Sequence, residues 1–180
     1  DKCLGCTNCI THCPTEAIRV QNGKAKIINE RCIDCGECVR LCQSHAKIVT
    51  TDSFDMLKNF KYNIAIPAPT FHSQFVCEIS VNRILNGFLK IGFDDVFEVA
   101  RGAEYVSAAT RQILAEGKCK KPVISSACPA VLRLIRERFP NLLENILPVI
   151  SPMEASARFA REEAIKKTGL KDEEIGVFFI

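Results

Sequence analysis

The sequence predicts two modules of different class: a small α+β module over residues 1–55, and an α/β domain with a mainly parallel sheet over residues 56–180. Three observations carry this reading. Eight of the eleven cysteines fall into two runs of identical spacing before residue 43. An Asn22-Gly23 pair, a strong hairpin signal, lies between those runs. After Asp55 the hydrophobic pattern changes to short apolar runs alternating with stretches of helical period. A chain of 180 residues has room for one small and one medium domain, and 47% hydrophobic residues suffice for a core.

In the first module the runs are Cys3-x2-Cys6-x2-Cys9-x3-Cys13-Pro14 and Cys32-x2-Cys35-x2-Cys38-x3-Cys42. This spacing is that of bacterial ferredoxins holding two 4Fe–4S clusters, in which the fourth cysteine of each run ligates the other cluster. The predicted sets are therefore Cys3, Cys6, Cys9 and Cys42 for the first cluster, and Cys32, Cys35, Cys38 and Cys13 for the second. Three cysteines at two-residue gaps wrap a turning loop around one cube and aim backbone N–H groups at its sulfurs. Gly5 and Gly36, one in each run, are read as equivalent positions of close approach or positive φ. Pro14 turns the chain away; Gln43 stands in its place in the second run and removes no ligand. Ala17–Val20 and Ala25–Ile28 flank Asn22-Gly23 as the strands of the hairpin. Structural zinc takes four ligands, commonly as two separated pairs, and two fourfold runs do not suit it.

An odd cysteine count in a chain of this length argues against a disulfide scaffold and for a reducing, cytoplasmic setting. The formal charge of +3 counts every cysteine as neutral. Two clusters at about −2 each would bring it to about −1. The basic residues form no stripe, so no nucleic-acid partner is expected. No apolar run reaches the roughly 18 residues of a membrane span. The chain starts inside a cysteine motif without an initiator Met or a signal stretch, which suggests a piece of a longer chain.

In the second module Asn63–Ile66 reads as a strand closed by Pro67-Ala68-Pro69. Gln74–Lys90 follows at helical spacing, with Gly92 as a stop. Val96–Val99 reads as a strand, Gly102–Glu116 as a helix and Pro122–Ile124 as a third strand. Ala130–Phe139 reads as the next helix. Ser151-Pro152-Met153-Glu154 is a capping box with proline at the first helical position, opening a helix to about Lys167. Ile175–Ile180 is a buried-strand run, and an exposed apolar hexamer at a chain end again suggests that more chain follows. In a parallel sheet, ligands sit beyond the carboxyl ends of the strands. The stretch Ser125–Cys128 is one such end. Cys128 precedes Pro129 at a helix N-terminus, where the dipole and free N–H groups favour thiolate and make it a metal ligand or nucleophile. The plainer alternative is an inert buried cysteine.

Ser126-Ala127-Cys128-Pro129 after a strand, with Ile150-Ser151-Pro152-Met153-Glu154 downstream, resembles the catalytic domain of iron-only (FeFe) hydrogenases. The Ala68-Pro69 turn and Gly92-Phe93-Asp94-Asp95-Val96-Phe97 are similar too, so the likeness spans nearly the whole chain. The resemblance implies a six-iron H-cluster, a cube bridged through cysteine to a diiron unit, with Cys128 as the first of four cysteines holding the cube. The other three belong to motifs this sequence does not contain, so the domain is expected to be incomplete and an H-cluster possible only in a longer chain. Cys77 and Cys119 match none of these motifs and read as core or surface thiols. In the catalytic group a further cysteine precedes the ligand and carries protons; here Ala127 takes that place. Ser107–Gln112 lacks the carboxylates of the proton path. Both departures are similar to the family's sensory group, which reports H2 or redox state to attached signalling domains.

The expected function is thus an electron-transfer module relaying electrons to or from an H2-active or H2-sensing site. Its partner would be a ferredoxin-like redox protein or an attached signalling domain. A stand-alone ferredoxin-like carrier or redox sensor is the alternative. A hydrogenase-like iron–sulfur assembly factor fits less well, because both ferredoxin runs are complete. His12 and His45 read as surface or hydrogen-bonding residues beside complete cysteine sets. His72 has no role legible in the sequence, and the charges at Arg158, Glu162, Glu163, Lys166 and Lys167 read as a solvated helix face.

Overall fold

The computed structural model describes residues 2–76 and 78–180, so Cys77 lies outside the described residues. In chain order its elements are α1 (Asn8–Thr11), β1 (Ile18–Gln21), β2 (Lys24–Ile27), α2 (Glu37–Arg40), β3 (Tyr62–Ile66) and α3 (Val81–Lys90). Then come β4 (Asp95–Val96), α4 (Val99–Ala115), α5 (Pro129–Arg138), α6 (Pro152–Thr168) and β5 (Ile175–Phe179). The chain up to Thr51 joins Lys120–Ile146 in one compact unit, and Asp52–Cys119 joins Leu147–Ile180 in another.

In the cysteine-bearing unit β1 and β2 pair antiparallel from Ile18↔Ile27 to Gln21↔Lys24. Asn22 and Gly23 both take positive φ, 52° and 73°, as a tight two-residue hairpin requires. Ala17, Ile18 and Ile33 are buried beneath the cysteine loops, and Ile135 of α5 is buried as well. The strand expected at Pro122–Ile124 reduces to one isolated parallel bridge, Ile124↔Ile146, outside any sheet. Pro122 has no N–H to give a ladder. Buried Asn145 takes the ladder's place: its Nδ2 donates to the carbonyls of Pro122 (2.8 Å) and Lys120 (3.3 Å), and its own carbonyl accepts from Ile124 N–H.

The other unit is built on a parallel three-stranded sheet in the order β4-β3-β5. The central strand β3 is buried on both faces, and the side-chain alternation divides its apolar residues between two layers. Ile64 and Ile66 face Phe97, Val99, Ala160, Ala164 and Ile175, which brings in α4 and α6. Ala65 faces Ile84 and Phe88 of α3, together with Phe93. The sheet therefore has helices on both sides, as an α/β domain should.

Element boundaries differ from expectation in two places. Residues 69–74 form a 3-10 turn, and α3 starts only at Val81, where Ser80 Oγ accepts from Arg83 N–H. The strand expected over residues 96–99 stops at Val96 because Val99 already opens α4. The start of α6 is as read: Ser151 Oγ accepts from Glu154 N–H at 3.2 Å, and Gly169 closes the helix at φ 70°. Helices α4 and α6 meet at Gly102 and fully buried Ser156, whose hydroxyl donates to the Val99 carbonyl at 3.3 Å.

Candidate functional site

The two cysteine runs repeat each other with an offset of 29 residues, Cys3 onto Cys32 and Cys13 onto Cys42, and the backbone follows. Positive φ occurs at Gly5 and Asp34, at Thr7 and Gly36, and at Glu16 and His45, each pair 29 apart. Gly5 and Gly36 are thus not equivalent, contrary to the sequence reading. Gly5 corresponds to Asp34, and Gly36 to Thr7. The short helices α1 and α2 are related by the same offset.

The repeat extends to the sulfurs. Ala17 N–H donates to Cys13 Sγ and Ala46 N–H to Cys42 Sγ, both at 3.2 Å. The hydroxyls of Thr15 and Ser44 lie 3.8 and 3.5 Å from the same two sulfurs. Ala25 N–H, from the hairpin, reaches Cys3 Sγ at 3.3 Å. These contacts tune the thiols unequally. The Ser44 hydroxyl, with N–H groups of Ala46 and Lys47, pulls Cys42 down to about 7. The N–H groups of Ala25 and Gly5 lower Cys3. Burial raises Cys9, Cys32 and Cys38.

Cys3, Cys6, Cys9 and Cys42 line one cavity, of about 20 Å³. Cys13, Cys32, Cys35 and Cys38 line another, of about 360 Å³, which extends along Ile48–Thr50. Each cavity thus takes three cysteines from one run and the fourth from the other. The donor sets suit iron–sulfur cubes: four thiols each, with backbone N–H groups directed at sulfur. Among the described residues, no three His, Cys, Asp or Glu side chains converge on one point as ligands of a single ion do. A cube takes one thiolate per iron, so its ligands encircle a space instead.

Cys128 is the N-cap of α5, with Pro129 at the first helical position, and its thiol is exposed. The buried-cysteine alternative therefore does not describe it. It is a single donor, and a multi-iron site needs further ligands. Cys119 is half-buried. His12 is exposed, with Nδ1 2.9 Å from the Asn8 carbonyl, and His45 is exposed on its turn. His72 Nε2 lies 3.4 Å from Glu98 Oε1.

The sequence reading missed a set of charged residues. Arg133 Nη1 donates to Asp34 Oδ2, and Arg138 Nη1 donates to Glu16 Oε1 at 3.2 Å. Asp34 Oδ1 also accepts from Cys32 Sγ at 3.4 Å. Position 34, between two cysteines, is a legible hint. Nothing in the sequence locates its partner 99 residues away.

Residues 1–43 match the family described as 4Fe-4S dicluster domain. Residues 61–180 match the family described as iron only hydrogenase large subunit, C-terminal domain. The chain is 20% identical to the NADP-reducing hydrogenase subunit HndD of Solidesulfovibrio fructosivorans, over 98% of this chain and 36% of that one. Over 44 residues it is 46% identical to a component of an ion-translocating oxidoreductase complex of Methanosarcina acetivorans, covering 24% of this chain and 17% of that one. Over 43 residues it is 40% identical to a ferredoxin of Pyrobaculum islandicum, covering 23% of this chain and 40% of that one. The chain spans less than half the length of each of these relatives. Among the described residues no helix is long and apolar enough to cross a membrane. An iron–sulfur module followed by a hydrogenase-like domain supports an electron-transfer role, and the chain belongs to the iron-only hydrogenase large-subunit family.

Proposed function

We propose that residues 1–55 form a two-cluster module, with Cys3, Cys6, Cys9 and Cys42 holding one 4Fe–4S cluster and Cys13, Cys32, Cys35 and Cys38 the other. The observation that carries this is the crossed lining of the two cavities, three cysteines from one run and one from the other. The bound clusters supply one-electron chemistry. The protein's own part is to present thiolates, to aim N–H groups at sulfur and to cover the sites with Ile18 and Ile33. The N–H donors at Cys3, Cys13 and Cys42 favour the more negative, reduced state. In the complete protein the module relays electrons to or from an H2-active or H2-sensing site to which Cys128 contributes one ligand, in a cytoplasmic setting. Residues 56–180 are the N-terminal part of that hydrogenase-like domain. Ala127, in place of the catalytic group's proton-carrying cysteine, supports the sensory branch. The electron partner is then a ferredoxin-like protein or an attached signalling domain.

Iron and sulfide analysis of anaerobically reconstituted protein tests the site assignment. Wild type should hold about eight irons as two cubes. Combining Cys42→Ala with Cys3→Ala should cost no more iron than the worse single variant, since both belong to one site. Combining Cys42→Ala with Cys35→Ala should empty both sites, although these two residues share a run. The reverse pattern, or fewer than four irons in wild type, refutes the reading. H2 turnover by the complete protein as fast as in the catalytic group refutes the sensory assignment alone.

A stand-alone carrier is the second reading. It is favoured by the exposed, single Cys128 and by the higher identity of the cluster residues to a ferredoxin than of the whole chain to a hydrogenase subunit. A complete protein in which Cys128→Ala leaves iron content and EPR signals unchanged supports it.

A further inference from the structure

We propose that α5 acts as a redox clasp. Through Arg133 it neutralises the carboxylate of Asp34 beside Cys32, and thereby raises the midpoint potential of the cluster held by Cys13, Cys32, Cys35 and Cys38. The inference rests on that ligand assignment. Its starting point is an electrostatic conflict. Asp34 Oδ1 accepts a hydrogen bond from the Cys32 thiol at 3.4 Å. When Cys32 binds iron the proton is gone, and a carboxylate then faces a thiolate of a site already carrying about −2. Adding an electron makes the repulsion worse, so an unscreened Asp34 depresses the potential. Arg133 engages the other oxygen of the same carboxylate from ten-residue α5.

A second pair secures the helix. Arg138 binds Glu16 at 3.2 Å, and Glu16 immediately precedes Ala17, whose N–H donates to Cys13 Sγ. Glu16 also has Arg19 at 3.8 Å, so its charge stays partly screened without Arg138. Arg133 is thus the potential-setting residue and Arg138 chiefly a positioning one. The first cluster has no counterpart, because the position equivalent to Asp34 there is Gly5. Both clasped loops hold ligands of the second cluster, and the clasping helix has Cys128 as its N-cap. Without the clasp, electron occupancy shifts away from the cube whose loops α5 holds.

The test is an EPR-monitored redox titration of reconstituted wild type and variants, with iron counted first. Arg133→Gln should shift one of the two one-electron waves downward, and Cys35→Ala should remove that same wave. The expected shift is about threefold in electron partition between the clusters, the size suited to a pair whose side chains are both more than half exposed. That is about 28 mV at 59 mV per tenfold for one electron. Arg133→Lys should keep most of the wild-type potential. Asp34→Asn should move the wave upward, and Asp34→Asn with Arg133→Gln should return it close to wild type. Arg138→Gln should shift it less than Arg133→Gln. Eight irons with neither wave moved in Arg133→Gln overturns the clasp alone. Fewer than four irons in wild type overturns the two-cluster assignment and the clasp with it.

Discussion

Gly102→Ala puts the packing of the hydrogenase-like domain to a quantitative test. A Cβ at position 102 would sit 2.7 Å from the Pro152 carbonyl oxygen and 2.9 Å from Ser156 N, and would also press on Ser156 Oγ. Ordinary contact begins near 3.4 Å, so α6 must withdraw by about 0.5–0.7 Å. Overpacking of this kind costs about 1–3 kcal/mol. The withdrawal also strains the hydrogen bond from fully buried Ser156 to the Val99 carbonyl, worth about 1–3 kcal/mol if it is lost unsatisfied. Alanine's better helix propensity returns about 1 kcal/mol. The net loss is about 1–5 kcal/mol, to be read from urea unfolding followed by circular dichroism, as a lower midpoint at constant slope. Gly87→Ala in α3 is the control: its Cβ would meet nothing within 4 Å, so only the propensity gain of about 1 kcal/mol applies. A midpoint for Gly102→Ala equal to or above wild type would refute the close approach of α4 and α6.

In the cluster module, Gly5→Ala places a Cβ 2.7 Å from the Gly23 carbonyl oxygen at φ 69°. It should cost about 2 kcal/mol or more, seen as weakened iron retention in a chelator challenge, with retention equal to wild type as the contrary result. In the apoprotein at pH 7, Cys42, pulled to about 7, should be alkylated ahead of Cys9 and Cys38, which burial raises; mass mapping that finds Cys9 or Cys38 first contradicts this. For Asp95, burial favours the neutral acid, but hydrogen bonds from Lys167 (2.9 Å), Val96 N–H and Tyr62 Oη hold its carboxyl below the usual range. A lowered carboxyl contributes stability above its unfolded value and loses it as pH falls through the folded one. The half-exposed pair should make wild type lose about 0.5–1 kcal/mol more than Asp95→Asn between about pH 5 and pH 2. Equal losses by urea midpoints would remove Asp95 from the account.

The parts legible in the sequence are those fixed by local rules. Asn22-Gly23 specifies its own hairpin, and Ser151-Pro152 with Gly169 bounds α6 through backbone groups within four residues of each cap. The three apolar residues of β3 between Asn63 and Pro67 mark a strand covered on both faces. The rest depends on distant partners. Pro122–Ile124 has the composition of a strand, but its hydrogen bonds go to Asn145, more than twenty residues away, beside the isolated bridge to Ile146. Phe75 and Ile79 continue the helical spacing of α3 back toward Gln74, yet Ser80 caps the helix only at Val81, so periodicity alone misplaces its start. Cysteine spacing conveys which sulfurs line one cavity because the motif carries its own register. It conveys nothing about Arg133 and Arg138, surface-type residues on an ordinary helix.

The departures from the 29-residue repeat have separate physical causes. At the first equivalent pair the backbone needs positive φ in both runs, and glycine is the residue that takes it without strain. The first run has Gly5 there because the Gly23 carbonyl leaves no room for a Cβ. The second run has Asp34, which carries a side chain in a conformation that costs most residues about 1 kcal/mol or more. Glycine would relieve that cost and would also remove the carboxylate that repels a bound anionic cluster. Retaining aspartate is unfavourable on both counts within the module itself. It becomes favourable only with a partner outside the repeat, and α5 supplies one in Arg133. At the second pair the order reverses, with Thr7 strained and Gly36 relaxed, and Thr7 brings no charge for an arginine to answer. A side chain held at positive φ beside Cys32, with Arg133 of α5 against it, is the contact on which the proposed tuning of potential rests.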